Sequence, residues 1–221
     1  MDQAEFKDKV FRDFYLFDPT TYGRIFAFVD FANVRKWAVD FWPLENKQYL
    51  VREIDIEKLA NVIEHVKPVK KFFYYGHYGS HPELDSDHPL NVKYRQSIFR
   101  IDKAKKAGFR ARTKEIKEIR TFDEDGKFVA KISKCNFDVE MTMDMLQKIN
   151  KYDSVFLWSG DSDFHLLLQY LKSKGKKIVT ICARNHVSAE LNKYSDLFIP
   201  ADPFKEYLEF IKSPKTNPPR P

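Results

Sequence analysis

Apolar positions along this chain come in two rhythms. Unbroken apolar runs occur in RIFAFVDF (24–31), VKKFFYYGHY (69–78), SVFLW (154–158), KKIVTIC (176–182) and DLFIPA (196–201). They lack the alternation of a half-exposed strand and predict strands buried on both faces. Between them the spacing turns helical. IDIEKLANVIEHVK (54–67) carries apolar residues at 56, 59, 62, 63 and 66 and is stopped by Pro68. NVKYRQSIFRIDKAKKAGF (91–109) predicts a helix capped by Gly108, and FDVEMTMDMLQKINKY (137–152), 162–174 and 187–194 predict three more. GSHPELDSDHPL (79–90) reads as a polar loop, and the Asp-Gly of TFDEDG predicts a hairpin within 110–134. Strands alternating with helices predict one α/β domain around a mainly parallel sheet, with an inserted β-hairpin. The expected organisation is a helical arm over 1–22, the domain over 23–211 and a disordered Pro-rich tail over 212–221.

Composition narrows the class. A hydrophobic fraction of 43% over 221 residues supports a packed core. The N-terminal stretch is charged throughout, and no apolar run approaches the ~20 residues of a membrane span. The two cysteines, Cys135 and Cys182, belong to no CxxC or metal-type cluster. A soluble, reduced, cytoplasmic protein without a membrane partner is expected. The net charge of +6 is unevenly spread: Lys93 to Lys134 holds 14 Lys/Arg and 6 Asp/Glu, which is +8 and leaves −2 for the rest. Two readings of that segment stand open, a polyanion-binding surface and an ordinary solvated face.

Candidate chemistry lies where the strands end. In such sheets, ligands bind outside the carboxyl ends of the strands. Asp30 closes the first apolar run, and Asp161 and Asp163 follow SVFLW after Ser159 and Gly160. Carboxylates gathered in one cleft repel, and hard divalent ions such as Mg²⁺ or Mn²⁺ relieve the repulsion through oxygen ligands. Asn33 can add an amide oxygen or hold a water. Asp161 or Ser162 can equally be a helix N-cap, which leaves Asp30 unexplained. Asp138, at the start of its predicted helix, can cap that helix and still reach the group. Asp144 lies six residues on, about 600° of helical rotation away, so it faces elsewhere; it reads as either a further ligand or a solvated residue. Ser159 lacks a nucleophile elbow, and no GxGxxG or P-loop appears, so a nucleotide cofactor has no support.

FAFVDFAN, FDVEMTMDM, VFLWSGDSDFHLLLQYLKSKGKKIVTI and SAELNKYSDLFI together resemble the NYN domain of the PIN-like nuclease superfamily, in its LabA-like branch, from about Arg24 to about Pro200. The resemblance implies a Rossmann-like (PIN-like) sheet flanked by helices, an acid cluster binding Mg²⁺ or Mn²⁺, and ribonuclease activity. Carried over by position, it gives Asp30, Asp138, Asp161 and Asp163 as catalytic and metal-binding residues, Asp144 as a further metal ligand, and Asn33 and Ser159 as supports. Phe31 departs from the pattern, standing where a small residue is more usual, which would narrow access.

The expected reaction is metal-dependent hydrolysis of single-stranded RNA, with Lys103, Lys105, Lys106, Arg110, Arg112 and Lys114 as phosphate contacts. Trp37, Trp42, Tyr74, Tyr75, His77 and Tyr78 are candidate stacking residues, although aromatics at such positions usually pack the core. The competing reading is a non-catalytic RNA-binding or regulatory NYN module; a homodimer is compatible with either. A HAD-type phosphatase would want DxD after the first strand, where this chain has Asp30-Phe31-Ala32, and a Toprim-type site would want Glu there.

Overall fold

The computed structural model describes residues 12, 15, 17–41 and 51–212. Most of the expected N-terminal arm, Trp42 and the tail beyond Lys212 lie outside them. The helices are α1 (Pro19–Tyr22), α2 (Phe31–Lys36), α3 (Ile56–Glu64), α4 (Pro89–Lys106), α5 (Asp138–Gln147), α6 (His165–Ser173), α7 (Ala189–Tyr194) and α8 (Lys205–Leu208). The strands are β1 (Ile25–Asp30), β2 (Val51–Ile54), β3 (Lys70–Tyr74), β4 (Arg110–Arg112), β5 (Lys117–Phe122), β6 (Phe128–Lys134), β7 (Ser154–Trp158), β8 (Lys177–Cys182), β9 (Leu197–Pro200) and β10 (Glu209–Lys212). No helix among the described residues is long and apolar enough to cross a membrane.

Six strands form one sheet in the order β4-β3-β1-β7-β8-β9, every neighbouring pair parallel. The continuous apolar runs explain its centre. All residues of β1 and of β7 are buried, because helices cover both faces. Along β1, Ile25, Ala27 and Val29 enter a core shared with α2, α3, Trp37 and Trp158. Phe26 and Phe28 point the other way, into a second core with Met141 and Met145 of α5 and Leu168 and Leu171 of α6. Full burial of one such side chain stabilises by roughly 1.5–3 kcal/mol, so this double-sided packing fixes β1 as the spine of the molecule.

From β1 the chain builds outward first to β3 and β4, then returns to the other side of β1 for β7, β8 and β9. The order reverses between β1 and β7. Helices diverge to opposite faces there and leave a crevice at the carboxyl ends of those two strands.

Two departures from the expected elements have physical causes. The segment read as one hairpin, 110–134, is divided. Arg110–Arg112 joins the edge of the main sheet, pairing Phe72 with Arg110 and Tyr74 with Arg112, while β5 and β6 form a separate antiparallel pair. The turn of that pair is held by Asp123, whose carboxylate accepts from the Asp125 and Lys127 amides, and by Gly126 at φ 75°. A second two-stranded ribbon joins β2 to β10. Its strands lie far apart in sequence and are tied by a buried Arg52–Glu209 ion pair, which apolar periodicity does not reveal.

Candidate functional site

Asp30 is the last residue of β1 and the N-cap of α2, its carboxylate accepting from the Asn33 amide at 3.2 Å. A short polar side chain is what an abrupt strand-to-helix turn requires, and Asp30 supplies it. The chain arrangement then repeats after β7. Asp161 caps a 3₁₀ turn at Ser162–Phe164, accepting from the Asp163 amide at 3.1 Å. The N-cap reading of Asp161 is therefore correct, and it does not compete with a role in the site, because the same turn points Asp161 and Asp163 into the crevice.

The two strand-end turns are bonded to each other. Asn33 Oδ1 accepts from the Gly160 amide at 3.1 Å, and Ser159 Oγ donates to Asp30 Oδ2 at 3.4 Å while accepting from the Asp161 amide at 3.3 Å. Asn33 and Ser159 are thus positioning groups. Ser159 is fully buried, which agrees with its unsuitability as a nucleophile. Gly160 has to be glycine: a Cβ there would overlap Cys182 Sγ and stand 2.5 Å from the His186 carbonyl oxygen. His165, one turn on, bonds locally to the Ser162 carbonyl through Nδ1.

Asp138 arrives from a third direction. It is the first residue of α5, where no side chain caps the helix; its carboxylate instead accepts from Asn136 Nδ2 at 2.8 Å. Carboxylate oxygens of Asp138, Asp161 and Asp163 all lie within 4.8 Å of one another. Asp30 sits deeper, 8% exposed. Burial pushes its carboxyl up to about 6, with Asp138 and Asp161 adding to the rise. Asp138 is raised too, by burial first and then by Asp161 and Asp163. Among the described residues no ion pair neutralises any of these four acids. Such a group of hard oxygen donors, with no ion pair of its own among the described residues, suits a hard divalent ion.

Asp144 is neither a member of this group nor solvated. It is 4% exposed and accepts from Tyr74 Oη at 2.8 Å, from Arg112 Nε at 3.1 Å and Nη2 at 3.0 Å, and from Lys148. Burial opposes its ionisation, but Lys148, Arg112 and Tyr74 together hold it below the usual carboxylate range. Its charge is spent fastening α5 to β3 and β4. The helix that presents Asp138 is thereby locked in rotation, and the metal-ligand expectation for Asp144 is corrected.

The expected phosphate contacts divide by position. Arg112 stands level with Tyr74 and hence with Asp30, but serves Asp144. Lys114 is at the site: it pairs with Glu140 at 2.5 Å and lowers Asp138 electrostatically. Arg110 is two residues further back along the sheet. Lys103, Lys105 and Lys106 fall on the last turn of α4, whose end packs at the opposite margin, where the Ala107 carbonyl accepts from Lys71 at the start of β3. Lys103 faces Asp55 and Glu57, and Lys105 faces Asp102. A parallel crossover helix runs back from the carboxyl edge, so its first turns adjoin the site and its last turn does not.

The aromatics divide likewise. Trp37 stacks on Trp158 in the core, centroids 6.1 Å apart. Phe31 is buried against Phe73 at 4.6 Å, so it faces the core and leaves access to the acids unaltered. Tyr74 and Tyr75 are buried; His77 and Tyr78 are partly open. Residues that are not among the expected phosphate contacts, Arg35, Lys36 and Lys93, line a cavity beside the acids. Arg35 and Lys36 are signalled only by lying within six residues of Asp30.

A doubly wound parallel sheet with acids converging at its switch point is the class of α/β architecture that this chain adopts. Within it, the NYN domain family matches residues 24–206, and the chain belongs to that family. It is similar to the low amplitude and bright protein LabA of Synechococcus elongatus, 27% identical over 108 residues. That alignment covers 49% of this chain and 56% of LabA, so the likeness spans about half of each. The fold is also that of a protein of unknown function from Vibrio parahaemolyticus, with a TM-score of 0.56 and 20% identity over 86% of this chain and 97% of that one.

Proposed function

We propose that the chain is a divalent-metal-dependent ribonuclease and that Asp30, Asp138, Asp161 and Asp163 form its active site. The observation that carries this reading is the convergence of four unneutralised carboxylates from three separate parts of the chain on one crevice, three of them within 4.8 Å. Membership of the NYN family supports it. Asp138, Asp161 and Asp163 would hold Mg²⁺ or Mn²⁺, with Asp30 beneath them. A bound divalent ion supplies an activated water and neutralises charge on the phosphoryl group.

The chain's own work is placement. Asn33 and Ser159 join the two strand-end turns, so the acids of β1 and of the β7 turn keep a fixed separation. The Asp144 network does the same for the helix that carries Asp138. Lys114 puts a cation beside Asp138, within reach of a phosphate drawn to the site. No side chain in the site is built as a nucleophile, so water attack leaving 5′-phosphate and 3′-hydroxyl ends is the reaction proposed.

The test incubates labelled single-stranded RNA with the protein in Mn²⁺, in EDTA, and with the Asp161→Asn variant in Mn²⁺. Cleavage only in the first is expected. Equal cleavage in all three refutes the proposal, and RNA binding with no products in Mn²⁺ assigns the chain to the non-catalytic RNA-binding modules instead.

A further inference from the structure

Next to the acids lies a cavity of about 530 Å³, within the roughly 300–1,000 Å³ typical of ligand pockets. It adjoins them through three segments: Ala32 follows Asp30 in α2, Gly76 follows β3, and Cys135 precedes Asp138. Its charge is opposite to theirs. Four cations line it, Arg35, Lys36, Lys93 and Arg100, against two acids, Asp40 and Glu53. Arg100 and Glu53 are mostly buried and bonded to each other, so that pair neutralises itself. Lys36 and Lys93 are exposed and have no ion pair among the described residues. Arg35 is steadied by the Tyr75 hydroxyl at 3.4 Å, and its buried Nε has no hydrogen-bond partner among the described residues. Lys93 Nζ stands 5.4 Å from the ring centroid of the partly open Tyr78. A second cavity shares Tyr78 and Ile116 with the first and is also lined by Lys114.

An acidic cluster that repels phosphate, bordered by a cationic pocket with an accessible aromatic ring, separates two jobs: one place for the reacting phosphate with its metal, another for its neighbour. We infer that this cavity holds the nucleotide flanking the scissile phosphate of a single-stranded RNA, its phosphate between Arg35 and Lys36 and its base against Tyr78 and Lys93. The inference rests on the ribonuclease reading for the identity of the strand. The apparent basic stretch of the sequence contributes Lys93 to this pocket and turns Lys105 and Lys106 away from it.

The experiment measures binding of a short fluorescent oligouridine to the full chain by anisotropy, in EDTA, across a salt series. Two double variants each remove two positive charges: Lys36→Gln with Lys93→Gln in the pocket, and Lys105→Gln with Lys106→Gln at the far margin. All four lysines are exposed, so both proteins should keep the fold. A phosphate contact on a single strand contributes about 0.7 to the slope of log affinity against log salt, so the pocket double, in which Lys36 is the phosphate contact, should lower the slope by about 0.7. Between 50 and 200 mM salt this is about 2.6-fold less loss of affinity. The far double should leave the slope unchanged. Tyr78→Leu should weaken binding about fivefold or more, with the slope retained, as loss of one stacked base predicts. Equal slopes for the two doubles overturn the pocket while leaving the Mn²⁺-dependent cleavage test untouched. Absence of any binding by the unmodified chain overturns the pocket and the choice of RNA together. A lowered slope in the pocket double without Mn²⁺-dependent cleavage upholds the pocket and overturns the nuclease.

Discussion

Asp30 holds its site in an unfavourable state, and removing its charge should reveal the cost. Its carboxyl is pushed up to about 6 by burial, from an ordinary value of 3.8, with Asp138 and Asp161 adding to the effect. A carboxyl raised in the folded state binds more protons there than in the unfolded chain between those two values. Stability without metal therefore falls as pH rises from about 4 to about 6 and stays low above. A difference of about 2 units corresponds to about 3 kcal/mol at 1.36 kcal/mol per unit. Asp30→Asn removes the charge and keeps the Oδ1 that accepts from the Asn33 amide; its amide nitrogen replaces the Oδ2 to which Ser159 Oγ donates at 3.4 Å. In EDTA at pH 7.5 the variant should be more stable by about 3 kcal/mol, which for a chain of this size raises Tm by about 6–12 °C. At pH 4 the gain should shrink below about 1 kcal/mol, because both forms are then largely uncharged. Urea denaturation or calorimetry at the two pH values measures it. A variant less stable at pH 7.5, or one displaced equally at both, would refute the claim that an unneutralised buried charge sits at the end of β1.

Metal should reverse that cost. Saturating Mn²⁺ at about 100 times its Kd stabilises the unmodified chain by about 2.7 kcal/mol, and Asp161→Asn should lose most of the thermal shift. Asp144→Ala should destabilise by about 1–3 kcal/mol, since Tyr74 and the cations lose their acceptor, and should weaken Mn²⁺ binding although Asp144 touches none of the proposed ligands; scanning calorimetry reads the first and titration calorimetry the second. Gly160→Ala forces the strand-end turn away from Cys182 and the His186 carbonyl; about 1–3 kcal/mol of stability should go, together with the Mn²⁺ shift. Arg35→Lys, which loses the planar fork, should raise KM for RNA while leaving the Mn²⁺-induced thermal shift unchanged.

The central strands were legible because a strand covered on both faces shows an unbroken apolar run, and β1, β7 and β8 are such runs. Short edge elements gave no such signal. Arg110–Arg112 has two exposed arginines and is a strand because Phe72 and Tyr74 offer it partners. The ribbon of β2 and β10 depends on pairing across most of the chain. Sequence spacing likewise showed that Asp144 faces away from Asp138, but not what it faces, since Tyr74 and Arg112 come from distant strands. Asn33 reads as a support that could add an amide oxygen or hold a water; its oxygen accepts from the Gly160 amide. Net charge located the basic segment along the chain without saying at which margin of the sheet each lysine would emerge.

Those residues share one cause. A parallel strand entering a helix needs a residue that turns the chain and accepts the first free amides, and a short carboxylate does both. At most strand ends this is only a cap. Here the sheet order reverses between β1 and β7, so two such turns meet without a helix between them. Asp30 and Asp161 are thereby brought together by the same local rule that placed each one singly. What the local rule cannot supply is a third approach, and Asp138 provides it only because α5 is clamped by Asp144 from a site of its own. The acid group is therefore a property of topology plus one ion pair of a buried carboxylate, Asp144 with Arg112. Breaking that pair should loosen the site, whereas exchanging cap for cap at Asp161 (Asp161→Ser) should keep the turn and lose the metal.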